Sequence, residues 1–402
     1  MAGLLFKVFT TLVVLLSAFI YQIQFPRMVS LGLGIGRKVE LLSTFPYTCR
    51  RIYHERIQAC EDMWLSESTR QLFLACSDPL ARARWMPTMG HFNVSARGMS
   101  DAILVLDIDD LASDSEVMPR VLDTPGFPGT NGDGRLYLSG FSGSDDEDGS
   151  VRLWVVNLKP SVDPVTKDFL DHAKFGANTT IELFRTGSKA EKLDHLKTFV
   201  HPQIVNPNRV AAVGGNSNAF YFTNDHGTIK TGLKFHISPL IGTGDVSYCD
   251  ETSCRQVASS LKFPNGLAKG GDGRIYVPSS MLGLIDIFQP QINGDLVKVD
   301  SINANYVLDN LSPDRNGNIY AAAIPDAMKF FAANKDPLNK NAPTTALKIT
   351  KNAKGQYEVS KEIEDGMNEV LPGATTVLHD YKTGRLFFSG VYAPYMAVCE
   401  RR

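Results

Sequence analysis

The chain has 402 residues, of which 43% are apolar, so it is long enough to bury a large core. Its formal net charge is only -2 and it has no run of Lys and Arg, whereas a nucleic-acid partner requires a strongly positive surface. We therefore expect a globular protein without a nucleic-acid partner.

The first 25 residues differ in composition from the rest of the chain. Residues 8–23 carry no charge and are rich in Leu, Val, Ile and Phe, with Lys7 on their N-terminal side. No clean small-x-small cleavage motif follows them, so we predict a retained signal anchor or transmembrane segment over residues 1–25. A cleaved signal peptide and a buried core helix are the alternatives.

An N-terminal segment of this kind directs the remaining residues into the secretory pathway. We therefore expect the protein in the endoplasmic reticulum lumen or on the extracellular face, attached to the membrane by residues 1–25. Of three Asn-x-Ser/Thr sequons, those at Asn93 and Asn178 agree with this location and are predicted glycosylation sites. The third, at Asn310, would conflict with a role of that residue as a metal ligand.

Six cysteines would meet oxidising conditions there, and the sequence alone allows 15 pairings. Cys49 precedes the first predicted strand and Cys399 lies near the C-terminus, so joining them would close a ring of repeats. A bridge across so long a loop stabilises by about 4 to 5 kcal/mol, less any native strain. Two shorter loops would be closed by Cys60 with Cys76 and by Cys249 with Cys254. Alternatively, these four are buried free thiols.

Residues 26–55 mix Gly, Arg and Tyr without alternation and are interpreted as a linker and lead-in. From residue 56 to residue 402, short apolar stretches alternate with Asp-Gly, Asn-Gly and Thr-Gly turns that are typical of hairpins. Six aromatic-rich strands recur roughly every 45 to 80 residues, which is the spacing of propellers. They begin near residues 71, 151, 219, 274, 318 and 385. The sequence predicts an all-β fold, a six-bladed β-propeller over residues 56–402.

Four side chains that offer an oxygen lie roughly ten residues ahead of four of these strands. They are Glu61, Asn208, Asn265 and Asn310, and Asp309 adds a second carboxylate. Such hard oxygens gathered from separate blades suit Ca²⁺, and the three amides keep the net charge of the site low. Because Asp309 and Asn310 are adjacent, they point to opposite faces of a regular strand unless a bulge brings both inward.

The chain resembles the serum paraoxonase/arylesterase family over most of residues 49–400. The segments that carry the resemblance are 60–62, 196–201, 208 with 212–214, 223–226, 263–266, 308–311, 328–329 and 399–400. The resemblance implies a six-bladed propeller that hydrolyses lactones, aryl esters and some phosphotriesters with calcium. It implies that the catalytic calcium in the central tunnel is held by Glu61, Asn208, Asn265, Asp309 and Asn310. A ring-closing disulfide between Cys49 and Cys399 and a retained apolar N-terminus are also implied.

The first departure from the family concerns its second, structural calcium. The resemblance implies that Asp62 would hold this ion with an Asp at position 209, but this chain has Arg209 there. A guanidinium cannot bind a cation, and its planar fork suits a carboxylate. We therefore predict that Arg209 pairs with Asp62 and replaces the second calcium. The alternative is an exposed Arg209.

The second departure concerns the proton shuttle. The family uses two histidines, and this chain has Ser139 and Leu158 at the matching positions. Ester hydrolysis needs a group that takes a proton from water. Glu61, Asp309 and His226 are therefore the candidate catalytic residues, with Asp225 as a further possible base, and His226 is alternatively a structural histidine.

These observations favour a calcium-dependent hydrolase of lactones or aryl esters, in which the metal polarises the substrate carbonyl. The small-molecule ester or lactone and the membrane are the expected partners. The missing histidines keep open a catalytically silent, calcium-binding propeller that acts as a membrane-anchored binding module. An enzyme of the related strictosidine-synthase-like propellers is the third possibility.

Overall fold

A computed structural model describes residues 2–111 and 117–402. Six four-stranded antiparallel sheets are arranged as blades around one axis. The innermost strand of each blade contacts the innermost strands of both neighbouring blades, so the ring is closed. The predicted six-bladed β-propeller is confirmed.

Each blade contributes four strands, counted from the axis outward. The innermost strands are Asp62–Ser66, Leu138–Asp145, Pro207–Ala212, Ala268–Lys269, Val307–Pro313 and Thr376–Asp380. The second strands are Gln71–Cys76, Val151–Asn157, Phe220–Asn224, Ile275–Ser279, Ile319–Ile324 and Arg385–Ser389. The third strands are Ala102–Asp107, Thr180–Thr186, Gly244–Cys249, Leu284–Pro290, Thr344–Lys351 and Met396–Arg401. The outermost strands are Arg120–Val121, Asp194–Phe199, Cys254–Leu261, Leu296–Asn303, Tyr357–Asp365 and Tyr47–Ile52.

All six aromatic-rich segments that the sequence singled out are second strands of blades. Gln71–Cys76 is buried along its whole length, as are Val151–Asn157 and Ile319–Ile324. A second strand packs against neighbouring blades on both of its faces, and this explains why it reads as a continuous apolar run rather than an alternating one. The core therefore lies between the blades.

The outermost strand of the last blade comes from the N-terminal side of the chain. Tyr47–Ile52 pairs with Met396–Arg401, and Cys49 lies opposite Cys399 in this ladder. The two form a disulfide, as predicted. Cys60 with Cys76 and Cys249 with Cys254 are also bonded, so the free-thiol alternative is wrong. Ring closure thus rests on both a strand pair and a covalent bond.

Removing the ring-closing disulfide is expected to lower the free energy of unfolding by about 4 kcal/mol, because it constrains a loop of 350 residues in the unfolded chain. The Cys49→Ser/Cys399→Ser variant should therefore melt well below the wild type in calorimetry. Cys249→Ser/Cys254→Ser is the matched control, since its loop spans only 5 residues and the expected loss is about 2 kcal/mol. Equal losses in the two variants would contradict this account.

The helices are Ala2–Gln22, Phe25–Leu33, Pro79–Arg82, His172–Phe175, Gly232–Ile241 and Ala327–Lys335. The first contains an apolar stretch from Leu5 to Gln22, none of it buried, which is long enough to cross a membrane. It is therefore not a core helix of the propeller. The second helix lies within the segment interpreted as a linker and packs against Ala327–Lys335. Its Arg27 donates to the Leu282 carbonyl at 2.7 Å, which fixes the helix on the propeller.

Candidate active site at the propeller axis

Three innermost strands carry a β-bulge at the same place. The bulged pairs are residues 139–140, 208–209 and 309–310, and each pair lies opposite a single residue of the second strand. A bulge bends the strand and re-aims its side chains. This is how adjacent residues such as Asp309 and Asn310 both contribute to the axis.

Glu61 and Asn310 meet at the axis from different blades. Asn310 Nδ2 donates to Glu61 Oε1 at 3.2 Å and to Thr376 Oγ1 at 2.8 Å. A Cβ atom at position 266 would lie 1.6 Å from Asn310 Oδ1, so only glycine fits there. Gly266 therefore allows the Asn310 amide to lie directly against the segment that carries Asn265.

With the blades numbered in chain order from the innermost strand Asp62–Ser66, Asn208 belongs to blade 3, Asn265 precedes the innermost strand of blade 4, and Asp309 lies beside Asn310 on blade 5. Asn265 Oδ1 accepts from the backbone amide of Gly266 at 2.8 Å, and Asn265 Nδ2 donates to Ser280 Oγ at 3.2 Å. Burial raises the pKa values of Asp309 and Asp225, and the nearby amides of Asn265 and Asn208, respectively, oppose the rise. The five predicted ligands thus lie on blades 1, 3, 4 and 5, at or just before their innermost strands.

Several buried oxygens in this region accept no hydrogen bond from any residue in 2–111 or 117–402. They are Glu61 Oε2, Asn208 Oδ1, Asn310 Oδ1 and both carboxyl oxygens of Asp225. Buried oxygens without a donor are costly and are rare in folded proteins. Oxygens of this type fit a hard cation such as Ca²⁺.

The oxygen set is rich in amides. Across the described part of the chain, no group of three or more His, Cys, Asp or Glu side chains converges as a metal site. The predicted set instead combines two carboxylates with the three amides of Asn208, Asn265 and Asn310. Neutral carbonyl oxygens are accepted ligands of calcium, whereas zinc prefers Cys and His.

The carboxylates at the axis are strongly destabilised in their charged forms. Burial, reinforced by the charges of Asp62 and Asp309, raises the pKa of Glu61 to about 8. Burial and the charge of Asp62 also raise the pKa of Asp309 to about 8, although Arg209 opposes the rise. Burial raises the pKa of Asp225 well above its ordinary value. Additional positive charge is therefore needed before all of these groups can ionise at neutral pH.

Asp62 and Arg209 form a buried ion pair next to this cluster. Arg209 Nε donates to Asp62 Oδ2 at 2.7 Å, and that oxygen also accepts from the Phe141 backbone amide at 2.9 Å. The guanidinium donates in addition to the Leu311 carbonyl. Because Arg209 is only 5% exposed, the alternative of an exposed arginine is wrong. Its charge lies where the resemblance would place a second calcium.

The sequence profile of the arylesterase family matches residues 103–392. The chain belongs to the arylesterase family. Serum paraoxonase/arylesterase 1 of Homo sapiens is 28% identical to it over 310 residues, which cover 76% of this chain and 78% of that protein. Serum paraoxonase/arylesterase 2 of Gallus gallus is 27% identical over 266 residues, which cover 64% and 69%.

The fold of this chain is also found in solved structures of low sequence identity. A luciferin-regenerating enzyme superposes with a TM-score of 0.50 and 11% identity, over 88% of this chain and 95% of that chain. This similarity supports the propeller fold. Family membership supports a hydrolase.

His226 lies away from solvent with both ring nitrogens engaged. Nδ1 lies 2.6 Å from Ser238 Oγ, and Nε2 lies 3.1 Å from the Thr88 carbonyl oxygen. The ring stacks on Phe235 at 3.7 Å, and burial lowers its pKa to about 4. A neutral ring that donates from Nε2 and accepts at Nδ1 satisfies both contacts. This geometry is that of a structural histidine and leaves no lone pair for water.

Ser139 and Leu158, where the resemblance implies a histidine pair, carry no titratable side chain. Ser139 lies in the bulge of blade 2 and Leu158 follows its second strand, both 1% exposed. The charge of one unpredicted residue, Arg82, acts on Glu61 and favours its ionised form. No motif or spacing marks Arg82 in the sequence, because it ends a short helix outside the repeats.

Proposed function

We propose that this protein is a calcium-dependent hydrolase of aryl esters or lactones. The observation that carries the proposal is a set of buried oxygens at the propeller axis that have no hydrogen-bond donor among the described residues. The chain that holds them belongs to the arylesterase family. Small esters and lactones are the substrate class that the family name and the resemblance support. The protein's own residues hold the ion, and one of them, Asp309, also moves a proton.

The ion would be held by Glu61, Asn208, Asn265, Asp309 and Asn310. When bound, calcium acts as a Lewis acid that polarises the ester carbonyl. The Asn310 amide orients Glu61 through the contact to Oε1, and Oε2, which has no donor among the described residues, would be available to hold the ion. The hydroxyls of Thr375 and Thr376 donate to the Glu61 carbonyl at 2.9 and 3.0 Å, and they fix the backbone of this ligand.

Asp309 is the residue that takes the proton from water. It is 8% exposed, against 4% for Glu61, and Asn310 does not hold its carboxylate. As water adds to the ester carbonyl, its proton moves to the Asp309 carboxylate and a C–O bond forms. The bond from the carbonyl carbon to the leaving oxygen, a phenoxide for an aryl ester or an alkoxide for a lactone, then breaks, and Asp309 returns the proton to that oxygen. This step requires a base within hydrogen-bond reach and no histidine.

Hydrolysis of phenyl acetate and of a set of lactones, with and without a chelator, tests the proposal. Chelator-sensitive turnover that returns on addition of calcium is the expected result. Stability that depends on calcium without any turnover would contradict it. That second outcome would favour the binding-module alternative, which the absence of titratable side chains at Ser139 and Leu158 motivates.

Without metal, the stability of the protein is expected to fall as pH rises from about 5 to about 8. In that window the folded protein binds more protons than the unfolded chain, because Glu61 and Asp309 have folded pKa values of about 8 against ordinary values of 4.5 and 3.8. Their contribution is complete below about pH 4 and is lost as pH passes about 8. Melting temperatures at pH 5, 6.5 and 8 in EGTA measure the effect.

Melting temperatures measured with calcium at the same three pH values provide the matched comparison. Because the ion competes with protons for the same carboxylates, its stabilising effect should grow over the same pH range. Asp148, whose pKa the contacts with Ser150 and Arg185 lower to about 2, does not titrate in this window. A melting temperature in EGTA that rises from pH 5 to pH 8 would show that Glu61 and Asp309 are not the destabilised carboxylates.

The location is proposed from three features. The helix Ala2–Gln22, whose apolar stretch from Leu5 to Gln22 is exposed, is compatible with a membrane anchor, and the three disulfides suit an oxidising compartment. Asn93 and Asn178 are both exposed, as glycosylation requires, whereas the sequon at Asn310 is buried at the axis. We infer a membrane-anchored protein that faces the lumen or the cell exterior.

A further inference from the structure

Asp314 and His379 form a hydrogen-bonded pair that joins blades 5 and 6. His379 Nδ1 lies 3.0 Å from Asp314 Oδ2, and the carboxylate also accepts from the backbone and side-chain amides of Asn318, both at 2.9 Å. Burial opposes the charge of Asp314, but the hydrogen bonds from His379 and Asn318 outweigh it and lower the pKa of Asp314. An ionised acceptor holds the proton of a neutral imidazole on Nδ1, so the lone pair is on Nε2.

His379 lines a cavity, and its second ring nitrogen has no partner among the described residues. The ring stacks on Tyr320 with the centroids 4.6 Å apart, and Nε2 makes no hydrogen bond to any residue in 2–111 or 117–402. The cavity has a volume of about 580 Å³, and we call it the His379 cavity. His226, in contrast, has both nitrogens engaged. An imidazole that is oriented by a carboxylate and has a free nitrogen beside a cavity has the geometry of a general base.

The His379 cavity is separate from the calcium ligands. None of the five proposed ligands lines it. Its lining includes residues 312–313, which follow Asn310 along the innermost strand of blade 5. On blade 6, His379 lies three residues beyond Thr376, whose Oγ1 accepts from Asn310 at 2.8 Å. Because a strand rises about 3.3 Å per residue, His379 is roughly 10 Å farther along the tunnel and out of reach of an ion at the calcium ligands.

Ser312 places a hydrogen-bond donor in the same cavity. It lines the cavity and is 2% exposed, and its Oγ makes no hydrogen bond within the described ranges. Buried hydroxyls normally have a partner, so this one fits an oxygen atom of a bound molecule. Side chains two residues apart point to the same side of a strand, so Ser312 faces the tunnel as Asn310 does.

Other lining residues indicate an uncharged ligand with an aromatic group. One part of the wall is apolar and includes Met63, Trp64, Leu65 and Leu378. The charged part has two acids and two cations, Glu67, Asp145, Arg209 and Arg315, so it selects neither sign of charge. The volume suits a small organic molecule, and the Trp64 indole offers a flat apolar surface to a ring.

We propose that the His379 cavity is a second, metal-independent hydrolytic site that takes small, neutral aryl esters. This inference goes beyond the calcium-dependent hydrolysis proposed above. His379 Nε2 takes a proton from water as the water oxygen bonds to the ester carbonyl carbon, and Ser312 Oγ donates to the carbonyl oxygen as that oxygen gains negative charge. The bond from that carbon to the phenoxide oxygen then breaks, the carbonyl re-forms, and Nε2 returns the proton to the phenoxide. The products are a carboxylic acid and a phenol.

The test uses the full-length protein with Asp309→Asn in saturating calcium, so that hydrolysis at the calcium ligands is suppressed. The probe is p-nitrophenyl butyrate, a small, neutral aryl ester. A slow, enzyme-dependent rate should remain, and adding His379→Gln should lower its kcat/KM at least about 100-fold. Glutamine can still donate to Asp314 but cannot take a proton from water. Ser312→Ala should lower the rate as well, since it removes the donor to the carbonyl oxygen.

Two controls accompany this test. His195 is another histidine beside a carboxylate, with Nε2 3.2 Å from Glu182 Oε2, but it does not line the cavity. His195→Gln should therefore leave the residual rate unchanged. In His379→Ala, added imidazole should restore part of the rate, because it supplies the missing base. A histidine that only joins the two blades would give no such recovery.

The two hydrolytic sites can fail independently. The second site is overturned if Asp309→Asn has no residual rate, if His379→Gln leaves that rate unchanged, or if imidazole restores nothing in His379→Ala. A residual rate that EGTA removes from protein with an unchanged circular dichroism spectrum also overturns it. In each of these cases, calcium-dependent turnover by the wild type would still support the function proposed above. If neither Asp309→Asn nor EGTA lowers the wild-type rate but His379→Gln abolishes it, the calcium-dependent function fails and the second site stands.

Discussion

Asp309→Asn is expected to lower kcat for phenyl acetate by about 100- to 10,000-fold, the usual contribution of a general base. The amide keeps the shape of the side chain and one oxygen for a cation, but it cannot take a proton from water. The loss should therefore persist at saturating calcium, and the rise of kcat with pH should disappear. Steady-state rates from pH 5 to pH 9 at several calcium concentrations measure both effects.

Two variants serve as comparisons for Asp309→Asn. Glu61→Gln should weaken calcium binding, because Glu61 Oε2 is a buried carboxylate oxygen with no donor among the described residues, so high calcium should restore part of its activity. His226→Gln should keep most of the activity, since both ring nitrogens are engaged by Ser238 and Thr88. A kcat for Asp309→Asn above one tenth of the wild-type value would remove Asp309 from the proton-transfer role.

The repeat pattern was sufficient to predict the fold. The second strand of every blade is covered on both faces, so its apolar run is visible in the sequence without any knowledge of neighbours. The innermost strands are harder to recognise, because their residues face the axis and their bulges interrupt the alternation. In a regular strand only one of the adjacent residues 309 and 310 could face the axis, whereas the bulge allows both to face it.

Part of the candidate site could also be predicted from the repeats in the sequence. Oxygen-bearing residues at equivalent places in several blades form a pattern, and Glu61, Asn208 and Asn310 do have buried oxygens without a donor at the axis. Arg82 repeats nowhere, and its position depends on how the helix Pro79–Arg82 packs on the propeller. The contact between His226 Nε2 and the Thr88 carbonyl likewise joins residues 138 positions apart, so no local sequence pattern could predict it.

Arg209→Met is expected to lower the free energy of unfolding by about 3 to 5 kcal/mol, because it leaves the buried Asp62 carboxylate without its cation. Asp62 is fully buried, and burial already raises its pKa. Asp62→Asn in the Arg209→Met background should recover part of the loss, since it removes the stranded charge. Urea unfolding of the two single variants and the double variant, at fixed calcium, gives the coupling energy.

Arg209→Asp tests whether the guanidinium stands in for an ion. The wild type should bind one calcium per chain, because the charge that Asp62 requires is supplied at 2.7 Å by Arg209 Nε. With a second carboxylate at position 209, the site should need a cation again, and the count should rise to two. Metal analysis after gel filtration, with Arg209→Met as the matched control, measures the stoichiometry. Because Met offers no oxygen, only the Asp variant should gain an ion, and two ions in the wild type would show that Arg209 does not replace one.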